Sequence, residues 1–333
     1  MNDLEALKSK YKVVVWGFKP VNGVFKNTIG YVWNSFYRAF QTLGFETYWF
    51  PNQKIDGFDF SNCIFLAEGY DDSEIPLNKT SIYYVHCAYN PQKYVNNVGK
   101  FVDLRYNQLK MNHPNYMFEL DKKNTEKLGK SCYYQPSTNQ IINFKNGKVD
   151  YDIDDFDKVY VAWATNLMPN EMDENDIYLE RENNVYFLGT VYYDEPYSNV
   201  SEINEFAKEC QKNNIGFIVN EFEKNQLSEQ DYIQISKKSL FGFDIRGKSN
   251  VETGYLPCRV FKNISYGLLG TTNSLEIYNE LDGHCVYSKS PSQLFYDAMK
   301  RKDDTEFIKE CFNYVKNNHT YVNRVKSILS ILK

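Results

Sequence analysis

The chain has 333 residues, 42% of them hydrophobic and 17% aromatic, and a formal net charge of −5. That length exceeds what one typical core organises, so two domains are expected. The acidic balance and the lack of any Lys/Arg run exclude a nucleic-acid binder, which must neutralise many phosphates at once; a single small phosphorylated ligand needs only one or two cations and stays open.

In chain order, Tyr11 to Phe18 is a β-branched apolar run that reads as a buried strand. A loop with Pro20, Asn22 and Gly23 follows. Tyr31 to Leu43 is helical, with Val32, Phe36, Phe40 and Leu43 on one face, and Gly44 ends it. Glu46 to Phe50, Cys63 to Ala67, Ser81 to Cys87, Phe101 to Tyr106 and Lys158 to Ala164 are further short strands. Strands alternating with helices or long connections imply a parallel sheet. The acidic, proline-marked stretch Asn166 to Asp176 is the expected linker.

The alternation then restarts. Val185 to Val191, Ile215 to Val219, Leu240 to Ile245 and Cys285 to Tyr287 read as strands. Ser201 to Lys212 is helical, with Ile203, Phe206, Ala207 and Cys210 together. Ser228 caps a short helix to Lys237, and Ser290-Pro291-Ser292-Gln293 opens another with Pro in the first helical position. The tail is helical, with Val322, Val325, Leu329 and Leu332 as its apolar stripe. The fold class is therefore α/β: two Rossmann-like domains, 1–170 and 177–318, with a terminal helix at 319–333.

Several sites are excluded by what the sequence lacks. No GxGxxG follows the first strand, and no P-loop, HExxH, GxSxG or EF-hand pattern occurs. The seven cysteines (63, 87, 132, 210, 258, 285, 311) are odd in number and contain no CxxC, which fits neither a disulfide framework nor a zinc site. The four histidines (86, 113, 284, 319) include no metal-spaced pair, so no metal is expected. No apolar run is long enough to span a bilayer and the first residues carry no signal core, so a cytoplasmic protein without a transmembrane segment is expected.

The most informative stretch is Glu252 to Ser274. Gly254 loosens the backbone, Pro257 suits a first helical position, and Val260, Ile264 and Leu268 fall at core spacing, leaving Arg259, Lys262, Ser265 and Tyr266 on a polar stripe. A helix start with free amides and a nearby arginine is an anion site. Gly267 and Gly270 then precede Thr271, Thr272, Asn273 and Ser274, and Asn273 with Glu276 has capping-box spacing for a second helix. This grouping suits a phosphate or diphosphate. Asp244 and Arg246 leave the preceding strand, with Arg246 as a second cation. On the first-domain side, acids and a histidine follow strand ends where catalytic groups collect: Glu68, Asp71, Asp72, His86 and Asp103. Each of these features also has an ordinary reading as a solvated loop, a surface ion pair or a packed side chain.

Arg-Val-Phe-Lys-Asn-Ile-Ser-Tyr-Gly within two α/β halves resembles the Arg-x-Phe-Glu-x-x-x-x-Gly segment of GT-B glycosyltransferases. Arg259, Phe261 and Gly267 match, and Lys262 stands where relatives carry the glutamate that holds the donor ribose. A lysine has no acceptor for ribose hydroxyls and would meet phosphate. The resemblance implies two domains facing across a cleft, a terminal helix crossing back to the first, and a nucleotide-sugar donor (UDP-, GDP- or dTDP-linked) on the second. It implies binding through Arg246, Gly254, Arg259, Lys262, Tyr266, Thr271, Thr272 and Asn273, without metal or other cofactor. The acceptor, a glycan or glycolipid such as a lipid-linked saccharide, would lose its hydroxyl proton to Asp71, Asp72, His86 or Asp103. Two alternatives stay open: a nucleotide-sugar epimerase-like enzyme, and a non-catalytic glycan- or nucleotide-binding descendant.

Overall fold

A computed structural model describes residues 3–20, 28–69, 71–86, 91–106, 130–135, 140–144, 157–194, 198–221, 227–252 and 256–332. They form two compact units, one from the N-terminal region through Ala162 together with the chain from Tyr321 onward, the other spanning Trp163–Thr320.

In the first unit, helix α1 (Asp3–Lys10) leads into β1 (Lys12–Trp16), α2 (Thr28–Thr42), β2 (Thr47–Phe50), β3 (Cys63–Glu68), β4 (Ile82–His86), β5 (Lys100–Tyr106), β6 (Lys130–Gln135), β7 (Gln140–Phe144) and β8 (Asp157–Val161). The sheet order is β2-β1-β3-β4-β5-β8-β6-β7, parallel except for the β6–β7 pair. All of β3 and β4 and most of β1 are buried, as near-continuous apolar strands of a sheet covered on both faces must be. On one face Trp16, Phe65, Tyr83 and Tyr94 form an aromatic core, with the Phe65 and Tyr83 rings stacked at 4.3 Å.

The second unit contains β9 (Asn184–Gly189), α3 (Val200–Lys212), β10 (Gly216–Glu221), α4 (Glu229–Lys238), β11 (Gly242–Asp244), α5 (Lys248–Glu252), α6 (Arg259–Ser265), β12 (Gly270–Thr272), α7 (Leu275–Glu280), β13 (Val286–Tyr287), α8 (Pro291–Arg301) and α9 (Thr305–Asn318). All its strand pairs are parallel: β10 with β9, and β11-β12-β13 in order. The approach to β11 is stitched to β9 by Leu240 N–H donating to Asn184 O at 2.8 Å and Tyr186 N–H donating to Ser239 Oγ at 3.1 Å. Strands therefore run β10-β9-β11-β12-β13, the doubly wound order. The core gathers around Phe206, whose ring lies 4.4 Å from Phe243 and 5.6 Å from Phe295. Ser228 and Ser290 cap α4 and α8 as their sequences require, accepting from Asp231 N and Gln293 N.

The last helix, α10 (Tyr321–Ser330), belongs to the first unit. Tyr321 packs edge-on against Phe36 of α2 at 4.8 Å, and Tyr84 O–H donates to Ile328 O at 2.7 Å. The stretch expected as a linker is not one. Leu167, Met168 and Met172 are buried in the second unit, and Asp176 is ion-paired to Lys237 at 2.6 Å. Its polar composition conceals three apolar anchors and a neutralised acid. Among the described residues, no helix is long and apolar enough to cross a membrane.

Candidate functional site

In a doubly wound sheet the ligand crevice opens at the carboxyl ends of the strands, where successive connections part to opposite sides. In the second unit that point lies between β9 and β11. Gly189 ends β9 and Asp244 ends β11. The Asp244 carboxylate is fully buried and is gripped by Arg246, whose Nη2 donates to Oδ1 at 2.5 Å and Nε to Oδ2 at 3.3 Å. Arg259, first residue of α6, brings a second guanidinium: its Nη1 lies 3.6 Å from Asp244 Oδ1, and its Cζ stands 4.5 Å from the centre of the Phe187 ring. It rests on Gly189, where an added Cβ would sit 1.9 Å from Nη2. The absence of a side chain at 189 is thus the seat of Arg259, a role that sequence reading missed. A lone glycine closing the apolar run Val185–Leu188 was the available signal.

Two guanidiniums and one carboxylate leave one net positive charge, largely removed from water. The Arg259 side chain is only 13% exposed, and Nη1 has no hydrogen-bond partner among the described residues. Burial, then the neighbouring Arg246 charge, lower its pKa, and Asp244 opposes them. A guanidinium stays charged under such pressure, so Arg259 remains a cation beside Asp244 at the end of β11.

The rest of the motif is built differently from its sequence expectation. The helix begins at Arg259, not Pro257, and Cys258 at its cap makes no side-chain cap bond. It has no polar stripe: Val260, Phe261, Ile264, Ser265 and Tyr266 are all fully buried. Tyr266 O–H donates to Asn166 Oδ1 at 2.6 Å, and burial holds its phenol well above the ordinary range. Lys262 is half-buried, with Nζ 5.2 Å from the centre of the Tyr232 ring. Thr271 and Thr272 lie on β12 rather than in a ligand loop. Their hydroxyls donate to Gly242 O at 2.9 Å and Asp244 Oδ2 at 3.3 Å, so both serve the β11–β12 join. Asn273 does not cap α7. Its amide braces Arg246, accepting from its N–H and donating to its O, both at 2.8 Å, and Ser274 is the cap. Gly254 lies outside the described residues.

In the first unit the four proposed bases do not form one cluster. Asp71 accepts from Phe18 N at 2.9 Å and from Asn52 Nδ2 at 3.1 Å, bracing a turn in which Gly17 and Phe18 both have positive φ (79° and 48°). Asp72 accepts from Tyr94 O–H and pairs with Lys93 Nζ at 3.2 Å. Asp103 is buried and registers with Val85, one step before Leu104, so it points to the sheet face opposite His86. His86 instead registers with Glu68 on β3, and its Nδ1 lies 2.7 Å from Glu68 Oε2. Glu68 is fully buried, which raises its pKa; His86 pulls the other way, and Asp71 and Asp72 add to the rise.

No protein-family model matches the chain, and no curated protein matches its sequence. Among the solved structures that match in three dimensions are two sugar-transfer enzymes. One is an α,α-trehalose-phosphate synthase (UDP-forming) from Burkholderia vietnamiensis, at TM-score 0.55 and 8% identity over 97% of this chain and 98% of that one. The other is an α-glucosyltransferase in complex with UDP, at TM-score 0.53 and 8% identity over 97% and 99%. At that identity the likeness is one of fold, and the fold is that of the GT-B glycosyltransferases, as the sequence resemblance implied.

Proposed function

We propose that the protein is a glycosyltransferase whose second unit holds a nucleoside-diphosphate sugar and hands the sugar to a hydroxyl of a glycan or lipid-linked saccharide. The observation that carries this reading is the pair of guanidiniums, Arg259 seated on Gly189 and Arg246, that flank Asp244 at the strand ends of a doubly wound sheet. Two proteins of the same fold support it, one named for forming UDP and one bound to UDP, and they make UDP the first nucleotide to try.

The chemistry follows from charge. As the bond from the anomeric carbon to the diphosphate breaks, negative charge grows on the departing oxygens. A preorganised, poorly hydrated guanidinium stabilises that charge more than it stabilises the bound donor. Asp244 and Phe187 fix the position of Arg259, so little reorganisation is left for the reaction. Lys262 offers a further cation, over the Tyr232 ring.

The test is a thermal-shift series with UDP, GDP, dTDP and ADP, followed by turnover of the matching sugar nucleotides. Stabilisation by UDP is expected, about 2.7 kcal/mol at one hundred times the dissociation constant. Arg259→Ala is expected to abolish it and to lower turnover by about 10²- to 10³-fold. No shift with any nucleotide, or equal turnover in the two proteins, overturns the reading.

A further inference from the structure

We infer that the second unit holds another binding site, away from the strand ends that carry Arg246 and Arg259. It is a cavity of about 420 Å³ at the amino ends of the strands, and it takes an amphipathic anion: an apolar tail ending in a carboxylate. The inference stands on this cavity alone and does not depend on the glycosyl-transfer reading.

The strands fix its place. Leu240 lies two residues before β11 and Leu269 directly before β12, so both mark the end of the sheet at which these strands begin. Asp244 closes the other end of β11. Helix α6 runs from Arg259 to Ser265, and Gly267 and Leu268, just beyond it, line the cavity. A cavity of this volume is of the size that small ligands fill.

Its lining is apolar in bulk. Ile177, Leu240, Leu268, Leu269 and Ile308 contribute to it. Two further members, Tyr178 and Leu179, are large apolar side chains left 60% and 45% exposed. A ligand tail laid against them removes that surface from water.

Arg181 supplies the partner for the head group. Its guanidinium donates to three carbonyls from three segments: Lys237 O in the last turn of α4, Asp176 O in the helical turn Glu174–Tyr178 at 2.5 Å, and Gly267 O at 2.8 Å. These dipoles hold the group in place without neutralising it. The Asp176 carboxylate is already ion-paired to Lys237 at 2.6 Å. Burial lowers the Arg181 pKa and Asp176 opposes that, but a guanidinium stays charged. The three bonds use one Nη1–H and both Nη2–H. Of the five donors, Nε–H and the second Nη1–H make no other bond among the described residues. Lys302 brings a second cation, paired at 2.5 Å with Asp303, whose side chain is 85% exposed. A surface pair of that kind is weak and yields to a better-placed anion. Two cations against one acid leave the lining positive, so an anion completes it and a cation does not.

The test is calorimetric titration of the full chain with decanoate. Decanol has the tail without the charge, acetate the charge without the tail, and decyltrimethylammonium the opposite charge. Decanoate is expected to bind saturably, decanol and decyltrimethylammonium about tenfold or more weakly, and acetate not measurably. Leu179→Glu puts a like charge into the lining at an exposed position; it is expected to weaken decanoate about tenfold while the melting temperature holds. Lys302→Ala is expected to weaken it less. Arg181→Gln is expected to abolish binding, and because Arg181 also joins three segments, Leu179→Glu decides the matter if Arg181→Gln melts early. Saturating UDP is expected to leave decanoate affinity unchanged. No binding of decanoate, equal binding of decanoate and decanol, unchanged affinity in Leu179→Glu, or displacement of decanoate by UDP overturns the inference.

Discussion

The two units present the same place in the fold with opposite chemistry. In each, a first strand lies between the second and third, and a glycine stands at or just past its end: Gly17 after β1, Gly189 at the end of β9. In the first unit the third strand ends in Glu68, and the residue beside it is a histidine. In the second unit the third strand ends in Asp244, and the groups beside it are two arginines. One strand end thus carries a carboxylate beside an imidazole; the other carries a carboxylate between two guanidiniums. The backbone winding supplies the location, and a few side chains supply its sign.

That comparison can be broken at its strongest point first. Asp244→Asn removes the one carboxylate between two buried guanidiniums and is expected to cost about 3–5 kcal/mol. In a unit of this size that lowers the melting temperature by about 10 °C. A melting temperature within a degree or two of wild type would mean that the arginines do not depend on Asp244. Asp71→Ala should cost about 1–3 kcal/mol, because the Phe18 N–H loses its acceptor in a strained turn. UDP affinity should not move. If it does, Asp71 serves the donor and the division of labour between the units is wrong.

Gly189→Ala sharpens the cationic side without touching a charge. The new methyl occupies the position of Arg259 Nη2, so the guanidinium must shift. UDP is expected to bind about tenfold more weakly, about 1.4 kcal/mol, with the ligand-free melting temperature little changed. Titration calorimetry of the two proteins checks both. The smallest effect is one of reactivity. Burial pushes the Cys63 thiol up to about 11 and Cys311 up to about 12, whereas Cys258 is half-buried beside Arg259. At pH 8, Cys258 should alkylate first among these cysteines, and UDP should slow it. Mass spectrometry of tryptic peptides reads both results.

Much of the architecture was legible in the chain. Val13–Trp16, Ile64–Ala67 and Val185–Leu188 are apolar without alternation because parallel strands are covered on both faces. Arg259 and Arg246 were legible as cations near a strand end. The small polar residues were not. A threonine that joins two strands and a threonine that holds a phosphate have the same one-letter neighbourhood, and Thr271 and Thr272 turned out to be the first kind. Asn273 had capping-box spacing, yet the backbone of Arg246, 27 residues away, claims both ends of its amide. Glu68 read as one loop acid among several until the register of β3 and β4 set it against His86.

The sequence by itself determined the alternation of strands and helices, the two-part layout and the chemical types available to a site, because these follow from local periodicity and composition. Tertiary structure alone decided which groups meet. The seat of Arg259 on Gly189 joins residues 70 positions apart, and the Glu68–His86 contact joins two strands through their register. Such pairings depend on the stacking order of strands, which leaves no mark in either segment considered separately.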